Sequence, residues 1–281
     1  MMRSVLDALR RAISVPTGAI GLALLLAVAG AALVLPPLLP DPAAQPDILG
    51  GALLPPAPQH PFGTDNLSRD VLARTVGGAR ISLTIAVLAV AMSMSLGALV
   101  GLAAGYFGGV IDAALMRLVD GALSIPRLFI VLVVLGALER VPLGVLILVL
   151  GTTGWFGTSR LVRAEVVRVR HEPYVLAAEG LGAGHARVIF RHLLPNASGP
   201  LLVATMLGVA EVILLDAGLS FLGFGVAPPA PSLGGMIQES RSLITEAPWT
   251  SLFPGATILI TVLGINLFGD ALRDAFDPRS A

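Results

Sequence analysis

The chain has 281 residues, of which 55% are apolar and 13% charged, with a formal net charge of zero and no cysteine. Soluble globular chains carry about 25% charged residues, so this composition leaves too little polar surface for a water-soluble globule and points to an all-α, polytopic membrane protein. The zero net charge gives no electrostatic basis for binding nucleic acid, and the lack of cysteine excludes disulfides, a thiol nucleophile and thiolate metal sites.

A bilayer core of about 30 Å takes about 20 apolar residues as a helix, and the chain holds six such stretches. Arg3, Arg10 and Arg11 precede an uncharged run over 12–40. That run is longer than a signal-peptide core of about 7–15 residues and ends in prolines, so it is expected to remain as a first transmembrane helix over 18–39. A proline-rich segment, 40–79, follows and should be extended or irregular. The second span is expected over 81–104 and the third within 111–138, with its charges crowded into the first half. A short, charge-free fourth span covers 141–159, a fifth covers 199–222, and a sixth covers 247–269. Between the last two, 223–246 carries Pro228, Pro229 and Pro231 and is not a span. The implied organisation is a first helix with its outer segment over 1–75, a transmembrane core over 76–273 containing a polar loop at 160–196, and a tail over 274–281.

All the basic residues are arginine, and their placement sets the orientation. With the N-terminus in the cytoplasm, twelve arginines lie inside and five outside, Arg127 being ambiguous. Six spans then place both termini inside (N-in, C-in), with the arginine-rich loop between spans four and five.

Several polar residues sit in otherwise apolar stretches, where ionisable groups are costly and face a cavity or a partner. Arg117 and Asp120, three apart, can pair on one helix face, with Asp112 nearby. Glu211 and Asp216 interrupt span five, and Asn266 and Asp270 share a face of span six; Glu211, Asp216 and Asn266 are candidates for a translocation path. Gly97, Gly101 and Gly105 form a small-residue stripe suited equally to packing within the chain and against another subunit. The four histidines do not form a metal set, and no metal or other cofactor site is expected. There is no G-x-x-x-x-G-K-[ST] loop and no lysine to complete one. No nucleophile elbow or zinc-protease motif is present either, so no catalytic residue is assigned.

The polar loop reads as a helix–turn–helix elbow. A first helix is expected to restart at Pro173, Gly182 to permit a sharp turn with positive φ, and a second short helix to end at Pro195-Asn196. Within it, Ala177-Ala178, Gly182 and Leu194-Pro195 resemble the "EAA" coupling loop of type I ABC importer permeases, with Leu176 where that motif has Glu. His60-Pro61-Phe62-Gly63-Thr64-Asp65, Ser68-Arg69-Asp70, Pro231-Ser232-Leu233-Gly234 and Asn266-Leu267-Phe268-Gly269-Asp270 resemble C-type permeases of the dipeptide/oligopeptide/nickel group, which usually has Trp where Leu233 stands. The resemblance implies the type I permease fold in a prokaryotic cytoplasmic (inner) membrane and a non-enzymatic transport role for peptides. A related solute such as a nickel complex is the alternative within the family, and a stand-alone secondary transporter the alternative outside it. The resemblance also implies a second, B-type permease subunit, one or two ATPase subunits carrying the ATP and magnesium, and an extracytoplasmic solute-binding protein. Ala177, Ala178, Gly182, Leu194 and Pro195 would form the ATPase-coupling loop.

Overall fold

The computed structural model describes residues 2–47 and 50–276, the first four by backbone alone, and contains no strand among them. The end of the tail expected at 274–281, with Arg279, lies outside the described residues. In lipid every backbone polar group must be satisfied within the segment, and the chain meets this with helices throughout.

Helix α1 (Met2–Ser14) precedes the first span, α2 (Pro16–Val34), which has proline in its first turn. Helix α3 (Val71–Phe107) is 37 residues long. At about 1.5 Å per residue it measures about 55 Å and exceeds the bilayer core. It starts at Val71 and not near Ile81 because the Asp70 carboxylate accepts from the Ala73 N–H at 2.8 Å and caps it. The third span is broken. Helices α4 (Gly109–Leu123) and α5 (Arg127–Gly136) meet at 74°, because Pro126 removes an N–H and disfavours helical geometry in the residue before it. Helix α6 (Leu143–Arg170) forms the next span. The described residues thus hold five helices long and apolar enough to cross a membrane, or six with the bent pair taken as one span.

After α6 come two short helices, α7 (Pro173–Gly180) and α8 (His185–Val188), then α9 (Leu194–Phe221), α10 (Leu233–Glu239) and α11 (Trp249–Phe276). The expected stop at Pro195-Asn196 does not occur. A π-helical turn over Ile189–Leu193 joins α8 to α9, and His185–Phe221 forms one continuous rod. The wider turn accommodates the missing N–H and the ring of Pro195, and the Asn196 side chain donates to the His192 carbonyl at 2.5 Å.

The main core lies between α3, α5, α6, α9 and α11 around Ile85, Leu135, Leu146, Leu150, Ile213 and Leu219. The glycine stripe of α3 packs within the chain, against α6. A Cβ at Gly97 would meet Thr158 Cβ at 2.5 Å, one at Gly101 would meet Ser159 O at 2.5 Å, and one at Gly105 would meet Val166 Cβ at 2.8 Å. Only glycine allows this backbone approach.

Candidate functional site

The elbow is built by local rules. Pro173 occupies the first turn of α7, where its missing N–H costs nothing. The helix closes in a Schellman motif: Ala183 N–H donates to Ala178 O at 3.0 Å and Gly182 N–H to Glu179 O at 2.9 Å. Gly182 has φ +81°, a left-handed conformation that disfavours other residues. Ala177 and Ala178 lie on α7, exposed and half-buried, while Leu194 and Pro195 sit half-buried at the start of α9.

The elbow has two apolar faces. One is internal: Val175, Val188 and Leu193 are buried with Leu102 and Tyr106 of α3 and Val162, Val166 and Val169 of α6. Full burial of each such side chain contributes about 1.5–3 kcal/mol, so the elbow is packed as one unit with the ends of α3 and α6. Polar contacts reinforce the joint. The Tyr106 hydroxyl hydrogen-bonds His185 Nδ1 at 2.7 Å, and Arg170 lies 5.2 Å over the Tyr106 ring while donating to the Tyr106 carbonyl. The other face is open: Leu176 is 52% exposed, Phe190 64% and Leu181 90%. Exposed apolar side chains beside exposed Arg187 and Arg191 suit a protein partner.

The expected Arg117–Asp120 pair is not formed. Asp120 pairs with Arg160 of α6, and Asp112 pairs with Arg163, whose Nη2 donates at 2.6 Å. Arg117 is exposed and has no ion pair among the described residues. An intrahelical pair at this spacing is worth only about 0.2–0.5 kcal/mol, and α6 presents its arginines alongside α4. The two acidic residues therefore tie α4 to the elbow-bearing end of α6.

The candidate path residues separate. Asp216 is buried and turned inward, where its Oδ2 accepts from Ser82 of α3 at 2.8 Å and its Oδ1 has no hydrogen-bond partner among the described residues. Asn266 is half-buried on α11 and makes no hydrogen bond among the described residues. Glu211 is exposed and accepts from Arg127 Nη1 at 2.8 Å. Arg127 was ambiguous in the sequence; its place at the first position of α5, directly after the break at Pro126, is the signal that marks it.

At the opposite end of the bundle lies a clamp that sequence reading missed. Arg74 Nη1 donates to Asp65 at 2.5 Å and to Glu239 at 2.9 Å, and Arg69 reaches both carboxylates as well. Trp249 Nε1 donates to Thr64 O at 3.1 Å, and Phe62 stacks on Phe253 at 3.8 Å. These contacts fasten the proline-rich segment to α3, α10 and α11.

A helical bundle with a broken span, an elbow with an exposed apolar face at one end and a clamped segment at the other is the architecture of a multi-pass membrane protein. The chain belongs to the family of binding-protein-dependent transport system inner membrane components, whose model matches residues 97–281. It is 39% identical over 267 residues to the dipeptide transport system permease protein DppC of Haemophilus influenzae, covering 92% of this chain and 90% of that one. It is 40% identical over 225 residues to the oligopeptide transport system permease protein OppC of Bacillus subtilis, covering 80% and 73% respectively. Its fold resembles the crystal structure of an amino acid ABC transporter with histidines, with TM-score 0.54 and 15% identity over 71% of this chain and 92% of that one. The chain is a multi-pass protein of the cytoplasmic membrane and a permease subunit of an ABC importer.

Proposed function

We propose that this chain carries peptides across the membrane as one half of a channel driven by separate ATPase subunits. The elbow carries this reading: it exposes Leu176, Leu181 and Phe190 on one face, and its buried face is continuous with the ends of α3 and α6. The peptide assignment rests on the relatives, which are named for dipeptides and oligopeptides.

In this mechanism the ATPase binds Leu176, Ala177, Ala178, Leu181 and the turn at Gly182, on the side where the arginine bias places the cytoplasm. Leu194 and Pro195 pass the displacement into α9 through the continuous helix. Closure of the ATPases on nucleotide moves the elbow, and α3, α6 and α9 follow as rigid bodies. A B-type partner subunit supplies the other half of the path, and a solute-binding protein delivers the peptide to the outer end near 40–79 and 223–246. Each conformation is favoured only through the differential affinity of nucleotide and binding protein. ATP and magnesium stay on the ATPases, since this chain has no lysine for a phosphate-binding loop.

The test is uptake of a radiolabelled dipeptide into proteoliposomes containing this chain, its partner permease and the ATPases. Accumulation that requires both ATP and the peptide-loaded binding protein is the expected result. Accumulation that persists without the ATPases and follows an ion gradient would overturn the reading in favour of a secondary transporter.

A further inference from the structure

The Arg127–Glu211 pair joins α5 to α9 inside the apolar bundle. Glu211 lies ten residues before the end of α9 at Phe221, about 15 Å along the helix and near the middle of a core of about 30 Å. Charge at that depth is expensive unless it faces water or a partner. Yet the pair is open, with Arg127 22% and Glu211 65% exposed. The Arg74–Asp65 pair, which fastens elements together, is sealed to 7% on both sides.

The two members are built differently. Arg127 is anchored: its Nη2 donates to Leu150 O at 2.7 Å and its Nε to Thr153 Oγ1 at 3.4 Å, both on α6. Only Nη1 turns to Glu211. Glu211 accepts from Arg127 and from nothing else among the described residues. A fixed guanidinium paired with a carboxylate that is held by nothing else has the chemistry of an anion site closed by its own counter-ion. Space is present on both sides of the pair. One cavity of about 310 Å³ runs between α3, α6 and α9, and a second of about 250 Å³ lies against the α4–α5 break. Gly154 and Gly157 line both. The larger volume is at the lower end of the range for small-molecule sites, about 300–1,000 Å³.

We propose that Arg127 and Glu211 form a transit subsite for the charged ends of a peptide. Arg127 takes the terminal carboxylate, Glu211 takes the terminal ammonium group, and the two close on each other when no peptide is present. A zwitterion satisfies both charges at once and leaves no net charge in the membrane, which an anion or a cation alone would not do. This inference rests on the peptide reading of the preceding subsection.

The experiment uses the complete reconstituted transporter with Glu211→Gln, which preserves shape and removes the charge. A dipeptide carrying photo-leucine serves as substrate and as a cross-linking probe in vanadate-stalled complexes. The expected result has three parts. Assembly with the partner permease and stimulation of ATP hydrolysis by loaded binding protein match the wild type. Uptake falls about 10- to 100-fold, the cost of one charge-assisted hydrogen bond. Cross-links that map to α5 or α9 in the wild type are lost. Unchanged uptake, or wild-type cross-links that never fall on these helices, would overturn the subsite. So would loss of assembly or of ATPase stimulation, because the pair would then be a structural contact. A wild-type complex that takes up no peptide at all would instead bring down the peptide reading itself, and the subsite with it.

Discussion

Gly101→Ala should loosen the whole bundle although it adds one methyl group. The new Cβ would sit 2.5 Å from Ser159 O, 2.7 Å from Val162 Cβ and 3.0 Å from Arg163 N. Carbon atoms in contact rest at about 3.5–4.0 Å. All three obstructing atoms are backbone or Cβ, so no side-chain rotation relieves the clash. Helices α3 and α6 must therefore separate by about 1 Å, and the close approaches at Gly97 and Gly105 open with them. Overpacking of this kind costs about 1–3 kcal/mol, which for a chain of this size lowers the melting temperature by about 4–8 °C at the middle of that range. Gly157→Ala is the control: it adds the same methyl group on α6, where nothing lies within 4 Å. The assay is the fraction of purified protein that stays monodisperse in mild detergent after heating. The reasoning is refuted if the two variants melt together.

Other perturbations separate the outer clamp from the elbow. Arg74→Gln strips the buried Asp65 carboxylate of its closest cation while Arg69 stays on it, and should destabilise the protein by about 1.5–3 kcal/mol, read as early proteolysis of 40–70; a protease-resistant variant would contradict the clamp. Gly182→Val forces a β-branched residue into a left-handed turn at φ +81°, at a cost of about 1–2 kcal/mol, with open space around it. Membrane insertion should be unchanged while ATPase association and uptake both fall, and normal values for both would remove the elbow from the mechanism. Leu176→Glu places a carboxylate on the exposed face of α7 and should raise coupled ATP hydrolysis and make it more salt-sensitive; identical activity at every salt concentration would mean the position is neutral.

The spans were legible because lipid imposes a length and an apolar composition that few other constraints override. The elbow was legible in part. Pro173 and Gly182 act through rules that hold within a turn of chain, and both fall where the sequence placed them. Pro195 did not end its helix, because a π-helical turn just before it absorbs the ring, and a widened turn leaves no mark in residue type. The ion pairs were the least readable feature. Arg117 and Asp120 are neighbours in sequence, but Asp120 takes Arg160, 40 residues away, and Arg74 takes Glu239, 165 residues away. Pairing in an apolar bundle follows helix adjacency, and a single sequence carries no direct record of which helices touch.

The most direct test of the central claim is affinity purification of the tagged protein from its native membrane in mild detergent, with mass spectrometry of what accompanies it. The account predicts a second permease and one or two ATPases containing phosphate-binding loops, with the ATPases lost selectively from Gly182→Val. Recovery of the chain alone, folded and still competent for uptake, would contradict it.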